Sequence, residues 1–190
     1  MLRTFLALDL DDALLRSVVA LIDELRGERL PRARWVASTT LHVTLRFLGD
    51  TDEALVPALG ELVTALGEEA PRPIEVRSTS LLAFPNARRA RVLALHLDEG
   101  GAVSDLAAKA ERAVTALGFP PETRAFRPHL TLARLREPAD LRRLFAASSS
   151  SMMPEGGRLR ALTLYKSELG KEAPVHTSLA RFELGRGVSV

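Results

Sequence analysis

Residues 41–48, LHVTLRFL, recur with few changes as residues 128–135, PHLTLARL. The histidines of the two stretches lie 129 − 42 = 87 residues apart. The same spacing links residues 6–11, LALDLD, to residues 93–98, LALHLD, because 93 − 6 is also 87. Two segments that repeat at one offset indicate an internal duplication, and such a duplication decides how the rest of the chain is organised.

This duplication predicts a single domain, residues 1–190, built from two similar halves at about 1–87 and 88–184. Hydrophobic periodicity predicts strands near 2–9, 33–37, 41–48, 73–82, 90–97, 129–135, 158–167 and 175–184, and helices near 12–26, 53–66, 102–117 and 138–147. We expect an α+β fold that is bilobal. Two pseudo-symmetric lobes, each with a mainly antiparallel sheet and outer helices, would flank a central cleft. Residues 148–154 are predicted to form a mobile loop, and those from 185 onward a loose tail.

Composition excludes several classes of protein. The chain has no cysteine, which rules out disulfides, thiolate metal sites and a cysteine nucleophile. A net charge of +2 argues against a polyelectrolyte nucleic-acid binder, although abundant arginines could gather around one cleft. No apolar run approaches the ~20 residues of a membrane span. We expect a cytoplasmic monomer with no membrane partner.

The repeated strands carry a histidine and a threonine two residues apart. Side chains alternate between the two faces of a strand, so His42 and Thr44 share one face while the leucines and the valine around them take the other. His129 and Thr131 are arranged in the same way. If the halves pack about a pseudo-two-fold axis, the two polar faces meet in one cleft.

Two histidines and two hydroxyls suit phosphoryl transfer without a metal. One imidazole can accept a proton from the attacking group while the other gives a proton to the leaving oxygen. The threonine hydroxyls can donate to the phosphate oxygens, and an arginine would hold their charge better still. Arg134 is the candidate, but simple alternation from His129 turns it to the other face unless the strand bulges or ends there.

Other readings of these residues are structural. A lone histidine in a strand is more often a hydrogen-bonded structural residue, and it is the constant repeat offset that favours a shared site. His96 and His176 lack that context and are interpreted as structural or solvent-facing residues, and Asp9 is interpreted as only a strand-end residue. Phe47 and Phe84 are interpreted as core rather than as base-stacking platforms, and Arg88, Arg89 and Arg91 as a solvated turn that could steer an anion.

The motifs make the chain resemble the two-histidine (2H) phosphoesterases, most closely the RNA 2′,3′-cyclic phosphodiesterases, also called 2′-5′ RNA ligases. The resemblance covers nearly the whole chain through the segments RTFLALDLDD (3–12), TTLHVTLRFLGD (39–50), LLAFPNARRARVLAL (81–95), FRPHLTLARL (126–135) and LTLYKSELG (162–170). The paired motifs with their flanks are highly specific together. The resemblance implies a bilobal α+β body with two antiparallel sheets flanking a cleft, with no metal and no cofactor.

The resemblance also implies roles for individual residues. The catalytic pair would be His42 and His129, and the substrate would be held by Thr44, Thr131 and Arg134 at the phosphate and by Phe47 near the nucleoside. The implied substrate is an RNA with a 2′,3′-cyclic phosphate end, or a cyclic nucleotide, hydrolysed to a 2′-phosphate. The reverse 2′-5′ ligation uses the same residues. We favour His42 as the acid and His129 as the base. One departure from the family pattern is His176, which stands where members often have a tyrosine.

Three rival hypotheses remain at this level. The same residues could act on another cyclic or 2′-5′ nucleotide, or the cleft could belong to a non-catalytic nucleotide-binding module. A metal site held by the two histidines is the third, but zinc normally needs at least three protein ligands, which the motifs lack.

Overall fold

The computed structural model describes residues 1–27, 30, 33–70, 72–148, 152–170 and 174–185. Within them the strands are β1 (Leu2–Leu10), β2 (Ala33–Trp35), β3 (His42–Thr51), β4 (Ile74–Phe84), β5 (Ala90–Asp98), β6 (His129–Ala139), β7 (Gly157–Leu169) and β8 (Pro174–Glu183). The helices are α1 (Asp12–Gly27), α2 (Val56–Glu68), α3 (Ala102–Ala116) and α4 (Arg142–Ala147). Residues 149–151 of the predicted mobile loop and residues 186–190 of the predicted tail lie outside the described residues.

The strands form two antiparallel sheets that meet at one junction. Sheet A has the order β3-β1-β7-β8, and sheet B has the order β2-β6-β5-β4. They join where Ile74–Val76 of β4 pairs with Gly157–Leu159 of β7. The α+β class with mainly antiparallel sheets is therefore confirmed.

The order of elements repeats along the chain as the duplication predicts. The series β1, α1, β3, α2, β4 is followed by the series β5, α3, β6, α4, β7. The sheets, however, do not follow the predicted halves, because the last strand of each series belongs to the sheet formed by the other series. β7 lies beside β1 in sheet A, and β4 lies beside β5 in sheet B. A boundary near residue 87 therefore separates the two series but not the two sheets.

Helix α1 illustrates how sequence determines local structure and packing. The Asp11 carboxylate accepts a hydrogen bond from the Leu14 N–H at 2.8 Å, which caps the helix start. The apolar face of α1, including Leu14, Val18 and Leu25, is fully buried. A Cβ on Gly157 would lie 2.6 Å from the Leu14 Cβ, so glycine at this position lets β7 approach the helix closely.

The remaining helices pack on the sheets and complete the core. Helix α2 lies against β7 and β8, and α3 lies against β3. The predicted helix at 138–147 begins later than expected, at Arg142, because β6 continues to Ala139, which still pairs with Ala90. No helix in the described part of the chain is long and apolar enough to cross a membrane.

Candidate active site

The repeated strands alternate as predicted. In β3, Val43 and Leu45 are buried in the core, and His42 and Thr44 are half-buried on the opposite face. In β6, the leucines at 130 and 132 are fully buried, while His129 and Thr131 are half-buried on the other face. Strands β3 and β6 also lie against each other, which brings the two polar faces together.

Both imidazoles are held through the same nitrogen. His42 Nδ1 lies 2.8 Å from the carbonyl oxygen of Thr40, and His129 Nδ1 lies 2.7 Å from that of Arg127. A carbonyl can only accept, so Nδ1 carries the proton in each ring and Nε2 is the basic nitrogen. His42 Nε2 is 3.0 Å from Thr44 Oγ1, whose hydroxyl donates to it in the neutral tautomer.

A β-bulge follows each motif and changes which residues face the site. Ala7 pairs with Thr44 and Leu6 with Arg46, so Leu45 is the extra residue in β3. In β6 the extra residue is Leu132, which is again 132 − 45 = 87 positions further on. A bulge resets the alternation of side chains. It therefore turns Phe47 and the residue 87 positions later, Arg134, toward the same faces as the histidines.

The bulge removes the conflict that simple alternation created for Arg134. Leu132 and Ala133 are both fully buried, and Arg134 emerges exposed on the face of His129. The positive charge of Arg134 lowers the pKa of both His42 and His129. One guanidinium therefore lies within electrostatic reach of both imidazoles, as a shared phosphate site requires. The condition stated for Arg134, that the strand bulges before it, is therefore met.

The surroundings of His42 favour its neutral form. Burial is the largest influence and lowers the pKa of His42 to about 4, with His176 and Arg134 acting in the same direction. The hydrogen bond to Thr40 and the negative charge of Asp9 raise it. Asp9 stands directly opposite His42 in the pairing of β1 with β3.

Asp9 is much more than a strand-end residue. It is 8% exposed and accepts hydrogen bonds from Thr163 Oγ1 at 2.8 Å and from the Tyr165 hydroxyl at 2.7 Å. It also accepts from the guanidinium of Arg181 on β8. These donors satisfy a buried carboxylate, as such a charge requires. Burial, followed by the hydrogen bond to Asp9, raises the pKa of Tyr165 to about 12.

Aromatic rings surround the His42 imidazole. Its ring centroid lies 4.8 Å from that of Phe5, 6.2 Å from Tyr165 and 5.4 Å from His176. His176 is therefore part of the wall of the site rather than a solvent-facing residue. Its buried Nδ1 has no hydrogen-bond partner within the described residues. Burial lowers the pKa of His176, so that ring also favours its neutral form.

The His129 side has the same plan with different chemistry. His96 stands opposite His129, at the position equivalent to Asp9. Its Nδ1 and Thr79 Oγ1 share a hydrogen bond of 2.6 Å. Phe84 lies 5.0 Å from His129, with the Arg127 guanidinium 5.6 Å above its ring. The pKa of His129 is lowered mainly by burial, with smaller contributions from Arg134, Arg127 and His96, against the hydrogen bond to Arg127, which raises it.

Phe47 does not belong to the core. Its side chain is 53% exposed, and its ring lies 5.8 Å from Phe5 in the wall around His42. The alternative of a core role for Phe47 is therefore wrong. Phe84 is half-buried at the edge of the site, where its ring contacts both the His129 imidazole and the Arg127 guanidinium.

Sequence reasoning missed the residues that surround the two histidines. One signal was available, because the repeat already aligned position 9 with position 96 and position 42 with position 129. What it lacked was the pairing of β1 with β3, which sets Asp9 opposite His42. Tyr165 lies in the segment LTLYKSELG and Arg181 lies on β8, but neither belongs to the repeated motif, and both come from strands far along the chain. Within the described residues, no group of three histidine, aspartate or glutamate side chains is arranged to hold a metal ion.

Comparison with known proteins agrees with this architecture. A family model described as the 2′-5′ RNA ligase superfamily matches residues 13–171. An RNA 2′,3′-cyclic phosphodiesterase of Methanothermobacter thermautotrophicus is 32% identical over 96% of this chain and 98% of that protein. One from Archaeoglobus fulgidus is 30% identical over 96% of this chain and 100% of that protein.

Solved structures share the fold over nearly the whole chain. The structure of TT0787 of Thermus thermophilus superposes with a TM-score of 0.75 at 27% identity, covering 96% of this chain and 98% of that one. LigT of E. coli complexed with 3′-AMP superposes with a TM-score of 0.72 at 24% identity, covering 97% and 99%. At 24% identity, the similarity to LigT shows a shared fold only.

Proposed function

Because the chain belongs to the 2′-5′ RNA ligase superfamily and is a phosphodiesterase of that family, we propose that it hydrolyses RNA 2′,3′-cyclic phosphate ends to 2′-phosphates. The observation that supports this most directly is the position of Arg134, which the bulge at Leu132 turns to the face of His129, and whose charge lowers the pKa of both His42 and His129. A phosphate bound at this guanidinium lies between a proton donor and a proton acceptor. The homologues named RNA 2′,3′-cyclic phosphodiesterase supply the substrate class.

The attack on phosphorus needs a base. In the free protein both imidazoles favour the neutral form, and each presents Nε2 because Nδ1 donates to a backbone carbonyl. We assign the base to His129. Its Nε2 takes a proton from water as the water oxygen bonds to phosphorus. Thr44, Thr131 and Arg134 hold the phosphate oxygens, where negative charge grows in the transition state.

The departing 3′-oxygen needs an acid, and we assign that role to His42. The neighbours of the two histidines differ, because Asp9 raises and His176 lowers the pKa of His42, whereas Arg127 and His96 both lower that of His129. A bound phosphate adds further negative charge, which favours the protonated form of His42 against the effect of burial. As the bond between phosphorus and the 3′-oxygen breaks, His42 Nε2 delivers its proton to that oxygen. The products are a 2′-phosphate and a 3′-hydroxyl.

The same arrangement supports 2′-5′ ligation in place of hydrolysis. If the 5′-hydroxyl of a second RNA replaces water, His129 takes the proton of that hydroxyl and a 2′-5′ linkage forms. Phe47 stands exposed beside the site and is proposed to contact the nucleoside. We propose that the protein acts without a metal or cofactor, as a cytoplasmic monomer.

The test is to incubate the protein with 2′,3′-cyclic nucleotides and with a cyclic-phosphate-ended RNA in EDTA, and to identify the product isomer. We expect a 2′-phosphate, with a bell-shaped pH dependence of turnover. No turnover of any of these substrates would refute the proposal. Activity that disappears on adding EDTA would contradict its metal-free part.

Variants then test the roles of the residues. Removing an acid or base lowers turnover by at least ~100-fold, so the turnover of His42→Ala and that of His129→Ala should each fall by that amount. Thr44→Ala should lose part of the activity, and Thr64→Ala, on an exposed face of α2, is its matched control and should lose none. Near-normal activity in either histidine variant would show that the two imidazoles do not act as a pair.

A further inference from the structure

We infer that Arg34 forms a second phosphate subsite, which binds the phosphodiester on the 5′ side of the nucleotide that carries the cyclic phosphate. This subsite rests on the proposed function and names the part of the RNA that the site recognises beyond its end. Neither the motifs nor the repeat points to Arg34. The inference comes from its position in the edge strand of sheet B.

The register of β2 places Arg34 on the face of the active site. Arg34 pairs directly with Arg134, and its neighbours Ala33 and Trp35 pair with Leu135 and Ala133. Ala33 and Trp35 pack against the core, so alternation turns Arg34 to the opposite face, where Arg134 also lies. Arg34 is exposed on that face.

Two arginines directly opposite each other on one face of a sheet repel, unless an anion lies between or beside them. Within the described residues, no hydrogen bond or ion pair engages the side chain of either Arg34 or Arg134. Side chains directly opposite on neighbouring strands have Cβ atoms about 4.5–5.5 Å apart. Two long guanidinium side chains starting from that separation can reach successive phosphates of one strand. Arg134 would hold the cyclic phosphate, and Arg34 would hold the phosphate next to it.

This arrangement has a consequence for substrate choice. A cyclic mononucleotide with a free 5′-hydroxyl offers nothing to Arg34, whereas a dinucleotide with the same cyclic end offers one internucleotide phosphate. Contacts of this kind position the chain without reading its sequence. Arg34 therefore favours RNA ends over free cyclic nucleotides, independently of the base.

The test compares kcat/KM for uridine 2′,3′-cyclic phosphate and for a uridine dinucleotide ending in a 2′,3′-cyclic phosphate. With Arg34→Ala, we expect the mononucleotide value to stay within about twofold and the dinucleotide value to fall by about tenfold, the scale of one charge-assisted hydrogen bond. A plot of log kcat/KM for the dinucleotide against log salt concentration should also become less steep by about 0.7, the contribution of one single-strand phosphate. Arg34→Lys should recover part of the loss, and Arg112→Ala, an exposed arginine on α3, should change neither substrate.

Equal losses on both substrates would overturn the inference, because Arg34 would then act on the cyclic phosphate itself or on the fold. Unchanged values on both would overturn it too. If the wild-type protein turns over neither substrate, the proposed function fails. The subsite is then decided by equilibrium binding of uridine 2′-phosphate and of the dinucleotide 2′-phosphate. An Arg34→Ala loss confined to the dinucleotide supports the subsite, and any other pattern refutes it.

Discussion

Replacing Asp9 with asparagine removes a buried negative charge while keeping the size of the side chain. The carboxylate accepts hydrogen bonds from Thr163, Tyr165 and Arg181. The amide of asparagine offers one acceptor oxygen in place of two and turns an NH₂ group toward donors. The substitution therefore leaves one donor without an acceptor and the guanidinium of Arg181 without its buried anion.

The size of the effect follows from these contacts. A hydrogen bond to a charged group contributes about 1.5–3 kcal/mol net, and removing one partner of a fully buried ion pair costs more. The Arg181 side chain is 31% exposed, so water recovers part of its solvation, and Glu183 remains as a second partner at 2.9 Å. We therefore expect Asp9→Asn to lower the free energy of unfolding by about 2–3 kcal/mol. For a protein of this size that is a fall of roughly 5–10 °C in Tm.

Thermal and urea unfolding measure this loss directly. The matched control is Glu183→Gln, which removes the more exposed partner of the same arginine and should cost less than about 1 kcal/mol. NMR titration adds a second readout, because loss of the Asp9 charge should lower the pKa of His42 further. An Asp9→Asn variant as stable as the wild type, or one no less stable than Glu183→Gln, would refute the role of Asp9 as the buried acceptor.

Three other predictions test packing and ionisation. Gly67→Ala should lower the free energy of unfolding in urea by about 1–3 kcal/mol, because its Cβ would lie 2.2 Å from the ring of Phe182. Gly60→Ala in the same helix has room, with its nearest atom at 3.6 Å, and should gain up to about 1 kcal/mol; equal effects at the two sites would contradict the packing. The chain has a single tyrosine, so near-ultraviolet absorbance should show Tyr165 ionising near pH 12 in the native protein but near pH 10 when unfolded. Because the native state keeps that proton, the free energy of unfolding should fall as the pH rises from about 10 to about 12. A native transition near pH 10 would argue against burial of Tyr165 and its contact with Asp9. The pKa of His42 is lowered from 6.5 to about 4, so the unfolded state binds the extra proton and stability should fall as pH drops through that range. His42→Gln should flatten this part of the urea-unfolding profile, and an unchanged slope would mean that His42 is not buried in its neutral form.

Much of the fold could be predicted because it is written in local patterns. Alternation of apolar residues identified β3 and β6, and helical spacing identified α1 and α3. The start of α4 was misplaced because pairing with β5 extends β6 beyond the local signal. The exchange of β4 and β7 between the sheets could not be predicted. It depends on which strand edges meet, and the periodicity of one strand does not record its neighbour.

The features of the site also divide into those that local sequence determines and those that depend on tertiary structure. The sequence by itself determined that His42 and Thr44, and likewise His129 and Thr131, lie on one face of a strand, since alternation is a property of the extended backbone. It also related the two motifs through the 87-residue offset. Only the tertiary structure decided what surrounds them. The bulges at Leu45 and Leu132 turn Phe47 and Arg134 to the site, and strand pairing sets Asp9 against His42 but His96 against His129. These features depend on contacts between residues far apart in the chain, so the repeat could predict a symmetric pair of histidines but not the charges that make them unequal.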